Sequence, residues 1–359
     1  MKQQISSQQF FAILWAALMS PAAELLPAVT VPVAGRGAWI GILLAAPVMA
    51  LLGAVLFRVS RKAQGGLAEV AMSALGSILG RAVILLYIVW GIFLLALRMR
   101  LCAQRLMDAG YQDSAMWFLV VIVAGMALWM SLGKLPAFGR TTQVFFGVLV
   151  IVAVLVVGLA APQVRTENLL PLWKEDMMPA IRSALPSLGC LSYGVFAAFL
   201  VGNTCWEEGD GKRWLWWTAL GCIALALMQL VVIGNFGPGL VEKLDKPFFD
   251  LAKSIGVKGA FQRVESVIAA VWTFSDLVIL GLLLRAVSTG ARTAFPKAGG
   301  RAVSAMALVP AAVCALALFP DGITPQSLSR GPVLWVGVML GGGLPLLIAA
   351  IAEFRQKRK

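Results

Sequence analysis

Apolar runs of about 20 residues, the length an α-helix needs to cross a hydrocarbon core, recur along this chain with only short polar joints between them. No other feature restricts the fold so tightly, because a backbone in lipid has to satisfy its hydrogen bonds inside helices or closed barrels. Charged residues make up 13% of the chain and hydrophobic ones 60%, whereas a soluble domain carries about a quarter charged residues. Placing a span on every long run, and a joint wherever Gly, Pro and charges gather, predicts ten helices. They lie at about 8–33, 37–57, 79–106, 114–132, 141–162, 179–204, 214–235, 263–288, 302–319 and 331–353. The expected fold is all-α and polytopic, with 1–359 as a single transmembrane domain. The first run is too long and too interrupted for a signal peptide and has no small-residue cleavage site, so it reads as a retained helix.

The net charge of +13 would suggest nucleic acid in a soluble protein. Here the basic residues stand beside span ends, which is a topology signal, and no nucleic-acid role is expected. Arg58, Arg61, Lys62, Lys134, Lys212, Arg213, Arg292 and the tail from Arg355 all fall on one side, which places both termini in the cytoplasm. The five cysteines show no metal-ligand spacing and the chain has no histidine. No metal, cofactor or catalytic residue is expected, and a Ser-x-x-Lys match at Ser131–Lys134 is too unspecific to indicate an enzyme.

Two spans are interrupted. Span 1 contains Ser20, Pro21, Glu24, Pro27 and Pro32, and span 6 contains Pro186, Ser187, Gly189, Ser192 and Gly194. Proline removes a donor and clashes with the preceding turn, so both helices are expected to break. Breaks at equivalent places five spans apart point to a midplane site between two inverted repeats, about 8–162 and 179–319, followed by a last helix at 331–353. Freed amides and carbonyls at such breaks suit the carboxylate and ammonium of a small amino acid. The alternative is that these residues only kink their helices, which membrane helices tolerate.

Candidate ligand contacts are Pro21, Ala22, Ala23 and Glu24 on span 1, Tyr87 and Trp90 on span 3, and Ser187, Gly189, Ser192 and Gly194 on span 6. Glu24 and Asp276 are the acids deepest in apolar surroundings and the candidates for proton or ion coupling. Aromatics at the spacing of Tyr87 and Trp90 are more often helix packing, which is the alternative to a ligand role. Arg98 and Arg100 are expected to snorkel, with pairing to acids as the alternative. Gly76 and Gly80, and Gly341 to Gly343, are expected to permit close helix approach, and the segment before Gly80 to lie along the cytoplasmic face. Between spans 7 and 8, Phe248, Leu251, Ala252 and Ile255 recur at helical spacing, which predicts a short surface helix or a lid over a central site.

The stretch Lys246-Pro-Phe-Phe-Asp250-Leu-Ala-Lys253, continuing through Arg263-Val-Glu265 to Trp272, resembles the spore germination permease family, the GerAB-like B subunits of nutrient germinant receptors. The opening Ile5-Ser-Ser-Gln-Gln-Phe-Phe, the Leu75-Gly76 to Gly80 entry to span 3 and the ten-span plan are similar to that family too. The resemblance implies the amino acid/polyamine/organocation permease superfamily and a LeuT-like 5+5 inverted repeat. It also implies A-type and C-type receptor subunits as partners in the inner membrane of an endospore. One departure is that Ser192-Tyr193-Gly194-Val195-Phe196 leads to Gly202-Asn203 without the acid common in family members, and Glu24 is the candidate to replace it. The expected function is a germinant receptor B subunit that binds a small nutrient and signals to its partners, with a proton-coupled transporter of amino acids or polyamines as the alternative.

Overall fold

The computed structural model describes residues 4–110, 113–254, 264–297 and 299–357. The chain opens on a two-residue strand, β1 (Ile5–Ser6), and enters α1 (Ser7–Ala34) through a capping box in which Ser6 and Gln9 bond each other's backbone amides. Gly35–Gly37 turns it into α2 (Ala38–Ala63). Then come α3 (Leu67–Asp108), α4 (Met116–Leu132), α5 (Leu135–Ala160), the short α6 (Lys174–Arg182) and α7 (Ala184–Leu191).

Span 6 continues from α7 as a 3₁₀ helix, Ser192–Asn203, into strand β2 (Thr204–Cys205), which pairs in parallel with β1 and so brings the end of span 6 to the amino-terminal face. Then follow α8 (Asp210–Phe236), the turn-long α9 (Pro238–Val241), α10 (Pro247–Ser254), α11 (Val264–Ala294), α12 (Gly300–Ala317) and α13 (Ile323–Arg330). The last span is α14 (Pro332–Val338), a π-helical segment at Met339–Gly343 and α15 (Leu344–Lys357). Each of the ten expected spans finds a helix, and the protein is a multi-pass membrane protein. Met116–Leu132 and Ala302–Ala317 are the shorter apolar helices among them.

Helix α1 is the axis of the molecule. It is buried nearly all round and packs against α5, α7, α8 and α11, while large apolar side chains such as Ile78, Val89 and Trp129 face outward, as lipid requires. The expected break in span 1 is not found, since α1 is helical from Ser7 to Ala34 through Pro21, Pro27 and Pro32. Neighbouring groups satisfy the disturbed backbone instead. The Ser275 hydroxyl on α11 accepts from the Ser20 amide at 2.7 Å and donates to the Ala16 carbonyl, the two groups that an undisturbed helix joins directly. Span 6 does change its hydrogen bonding, but at Ser192, after Pro186 and Gly189.

A 3₁₀ run of 12 residues is long for that geometry, which rarely exceeds about four. Residues three apart eclipse, so Tyr193, Phe196, Phe199 and Gly202 form one ridge. Tyr87 of α3 meets Phe196 and Phe199 edge-on, and Gly202 lies against Gly65 and Gly66 at the start of α3. Helix α3 bends at Gly76, whose φ of 84° suits glycine and whose Cβ position is open. Its role is backbone freedom rather than the close packing expected of it. Gly80 does sit tightly against Met72 and Ala71.

In Gly202→Ala the new Cβ would lie 2.7 Å from backbone atoms of Gly65. The expected result is a lower melting temperature in detergent, because overpacking of this kind costs about 1–3 kcal/mol. Gly211→Ala, with nothing within 4 Å of its Cβ, is the matched control and should stay within about 0.5 kcal/mol.

Candidate functional site

Three helices bring charge to one buried point. On α1, Ser20 and Glu24 are four residues apart and share a face; on α3, Arg98, Cys102 and Arg105 do the same over two turns. Helix α11 adds Ser275 and Asp276. Arg98 donates from Nη1 to Glu24 Oε2 at 3.1 Å and from Nη2 to Asp276 Oδ1 at 2.8 Å. Arg105 donates from Nη2 to the same Glu24 oxygen at 3.0 Å and from Nη1 to Asp276 Oδ2. The Ser20 hydroxyl lies inside this ring, donating to Asp276 at 2.6 Å and accepting from Arg98 at 2.7 Å.

The four charged side chains are 0–4% exposed. Two cations and two anions alternate, so the ring carries no formal net charge, which is the condition for placing it in a low-dielectric interior. Glu24 Oε1, Arg98 Nε and Arg105 Nε make no hydrogen bond among the described residues. The Tyr193 hydroxyl, at the start of the 3₁₀ ridge, is buried and makes no hydrogen bond among the described residues.

Helix α10 meets the ring at Arg105. The Arg105 guanidinium stands 4.7 Å from the Phe249 ring centre, and Phe248, Phe249 and Trp272 pack together, all buried. Lys246 bonds Asp108 at 2.7 Å and Arg330 bonds Asp245 at 3.2 Å, which ties the start of this segment to α3 and α13. Phe248, Leu251 and Ala252 of the expected amphipathic helix are buried as its pattern requires. Ile255 lies outside the described residues.

The sequence candidates separate into groups. Glu24 and Asp276 belong to the ring, and Pro21, Ala22 and Ala23 are buried beside it on α1. Ser192 and Gly194 line an apolar cavity of about 250 Å³ with Leu14, Leu52, Trp214 and Gly341. Leu14 precedes Glu24 by ten residues, about 15 Å along the axis, so this cavity is a separate place.

Tyr87 donates to the Leu340 carbonyl at 2.6 Å and so joins α3 to the π-helical segment. Trp90 stacks on Phe93. Ser187 donates to Ser183 O in its own span, and Gly189 lets α7 touch Leu334 of α14. Arg98 and Arg100 do not snorkel. Arg98 is fully buried in the ring, and Arg100 donates to the Phe319 and Asp321 carbonyls beyond α12. Arg105 was not among the expected site residues, because a cation at a span end ordinarily marks topology. Its seven-residue spacing from Arg98 was the available signal.

This architecture is that of the LeuT-type transporters. MhsT in complex with L-phenylalanine superposes with a TM-score of 0.67 at 13% identity, covering 95% of this chain and 89% of that one. A Na⁺-coupled sialic acid symporter gives 0.64 at 14% identity over 95% and 79% of the two chains, and inward-facing Mhp1 gives 0.62 at 14% over 100% and 78%. Likeness at this identity establishes the fold alone. The family model for spore germination proteins matches residues 4–321, and the chain belongs to that permease family. YfkT of Bacillus subtilis (strain 168), named for spore germination, is 23% identical over 253 residues, which is 68% of each chain.

Neutralising one member of the ring leaves its partners buried without compensation. Arg98→Gln and Asp276→Asn are each expected to lower stability by about 3–5 kcal/mol, read by thermal unfolding in detergent. Glu24→Gln combined with Arg98→Gln should cost less than the two single losses together, by about 0.5–3 kcal/mol. Additive losses would show that the four charges do not act as one unit.

Proposed function

We propose that this chain is the nutrient-binding B subunit of an endospore germinant receptor and that its ligand is a small zwitterion, an amino acid, received at the ring of Glu24, Arg98, Arg105 and Asp276. The observation that carries this reading is the ring's balanced charge, shared by three helices, with Phe249 of α10 packed on Arg105. A singly charged ligand would leave an uncompensated charge buried, whereas a zwitterion exchanges one internal contact at each end and keeps the total at zero. Its carboxylate suits the arginines and its ammonium suits Glu24, whose Oε1 makes no hydrogen bond among the described residues.

The same ring holds α1, α3 and α11 together, so a ligand that replaces its contacts binds one arrangement of these helices better than another. Differential affinity of that kind shifts the population between them. A-type and C-type subunits in the spore inner membrane are the partners that would sense the shift. The distribution of basic residues supports cytoplasmic termini.

A second reading, a proton-coupled transporter of amino acids or polyamines with Glu24 or Asp276 as the coupling group, is favoured by the fold shared with a Na⁺-coupled sialic acid symporter. Uptake of radiolabelled solute by proteoliposomes containing the chain alone would select it.

Thermal-shift measurements on the purified chain test the ligand class. A free amino acid among the twenty common ones is expected to raise the melting temperature by mass action, while its methyl ester and its N-acetyl form, each lacking one charge, should not. If either blocked form stabilises the protein as well as the free amino acid does, charge exchange at the ring is wrong. Spores carrying Glu24→Gln should then need about tenfold more of that nutrient to germinate, corresponding to about 1.4 kcal/mol of lost binding.

A further inference from the structure

The amino-terminal face carries a second polar cavity, distant from the ring. It measures about 480 Å³ and lies among the end of α4, the start of α5, the end of the 3₁₀ helix, the end of α11 and the start of α12. Arg285, Arg292 and Lys134 line it with Ser131, Ser288 and Ser304, and no carboxylate does among the described residues.

Arg285 is fixed in place. Its Nη2 donates to the Met130 and Gly133 carbonyls, its guanidinium stands 4.7 Å from the Phe138 ring centre, and its Nε is buried without a partner. Arg292 and Lys134 are exposed and form no ion pair with a described residue. Helix α12 starts at this cavity without a side-chain cap on its first amides, which adds the positive end of an 18-residue helix. Ser288 and Ser304 both donate to the Gly300 carbonyl at its rim, and rotation of either hydroxyl turns a donor inward.

We propose that this cavity binds a phosphate-bearing ligand. Topology accounts for basic residues at this face, but it does not require three of them to surround one cavity with hydroxyl groups and a bare helix start. Three cations without an anion repel one another, and a polyvalent anion removes that repulsion while accepting charge-assisted hydrogen bonds from several directions. A tetrahedral phosphate suits donors spread around a concavity better than a planar carboxylate does. The same chemistry is offered by an anionic lipid headgroup and by a soluble phosphate compound, and basic pockets between helices at a cytoplasmic membrane face suit the former.

The test uses the full chain with Lys134→Gln and Arg292→Gln combined, two exposed positions whose change should leave the melting temperature in sodium chloride unaltered. In one arm, sodium phosphate replaces sodium chloride at matched ionic strength, and wild-type protein is expected to gain about 2–4 °C that the double variant does not. In the other, native mass spectrometry from micelles of equal phosphatidylglycerol and phosphatidylcholine should show phosphatidylglycerol retained by the wild type and lost from the double variant. A difference in the first arm assigns the site to a soluble phosphate compound, and a difference only in the second assigns it to lipid. Equal behaviour of the two proteins in both arms overturns the proposal. Arg292→Lys, which keeps the charge, is expected to retain part of the effect.

Discussion

Two arginines and two carboxylates closed into a neutral ring are the constraint around which this membrane fold is arranged. A lone ion at that depth would be costly enough to neutralise itself or draw water inward. Here each charge has two opposite neighbours and the ring is almost wholly inaccessible. Because its members come from α1, α3 and α11, these helices cannot slide independently without separating charges. The Ser275 hydroxyl extends the arrangement into the backbone of α1, bridging Ala16 and Ser20 next to the proline that disturbs the helix. Polar side chains of one helix thus repair another, and α1 stays continuous through three prolines.

The remainder of the molecule is asymmetric about that ring. On the side of α10, Phe249 packs on Arg105, and two ion pairs hold the start of α10 to α3 and α13. Toward the amino-terminal face the 3₁₀ ridge carries aromatic side chains to Tyr87, and Tyr87 passes the contact to the π-helical segment. The 3₁₀ run of span 6 and the π-helical segment therefore lie in one chain of contacts. Segments of 3₁₀ and π geometry trade good hydrogen bonds for altered side-chain direction. Ser192 shows what the altered direction permits, because its side chain reaches against Gly337 and Gly341, where any side chain would intrude.

Much of this was readable from residue order. The number and placement of spans follow from apolar run length, and the likeness of Lys246–Trp272 to the germination permeases led to the family that the match over 4–321 establishes. Glu24 and Asp276 stood out because few other acids lie so deep in an apolar run. The break expected in span 1 is not found, since prolines show where a donor is missing but not that Ser275, 255 residues beyond Ser20, bridges the Ser20 amide and the Ala16 carbonyl beside one of them. Snorkelling is the local explanation for Arg98, with pairing to acids as its alternative, and Arg105 at a span end carries no sequence signal beyond its spacing from Arg98. The spacing of Tyr87 gives no sign that its hydroxyl donates to a carbonyl on the last span.

Composition and periodicity by themselves determined that the chain spans a bilayer many times and that a few of its charges must lie inside, because hydropathy acts locally and needs no knowledge of neighbours. Only the tertiary structure decided which of those charges meet. An ion pair between residues 24, 98, 105 and 276 depends on how three helices are rotated and offset, and that is set by the packing of the whole bundle. The same holds for the basic cavity at the other face, whose lining comes from five separate segments. Each of its cations, taken alone, looks like an ordinary marker of membrane topology.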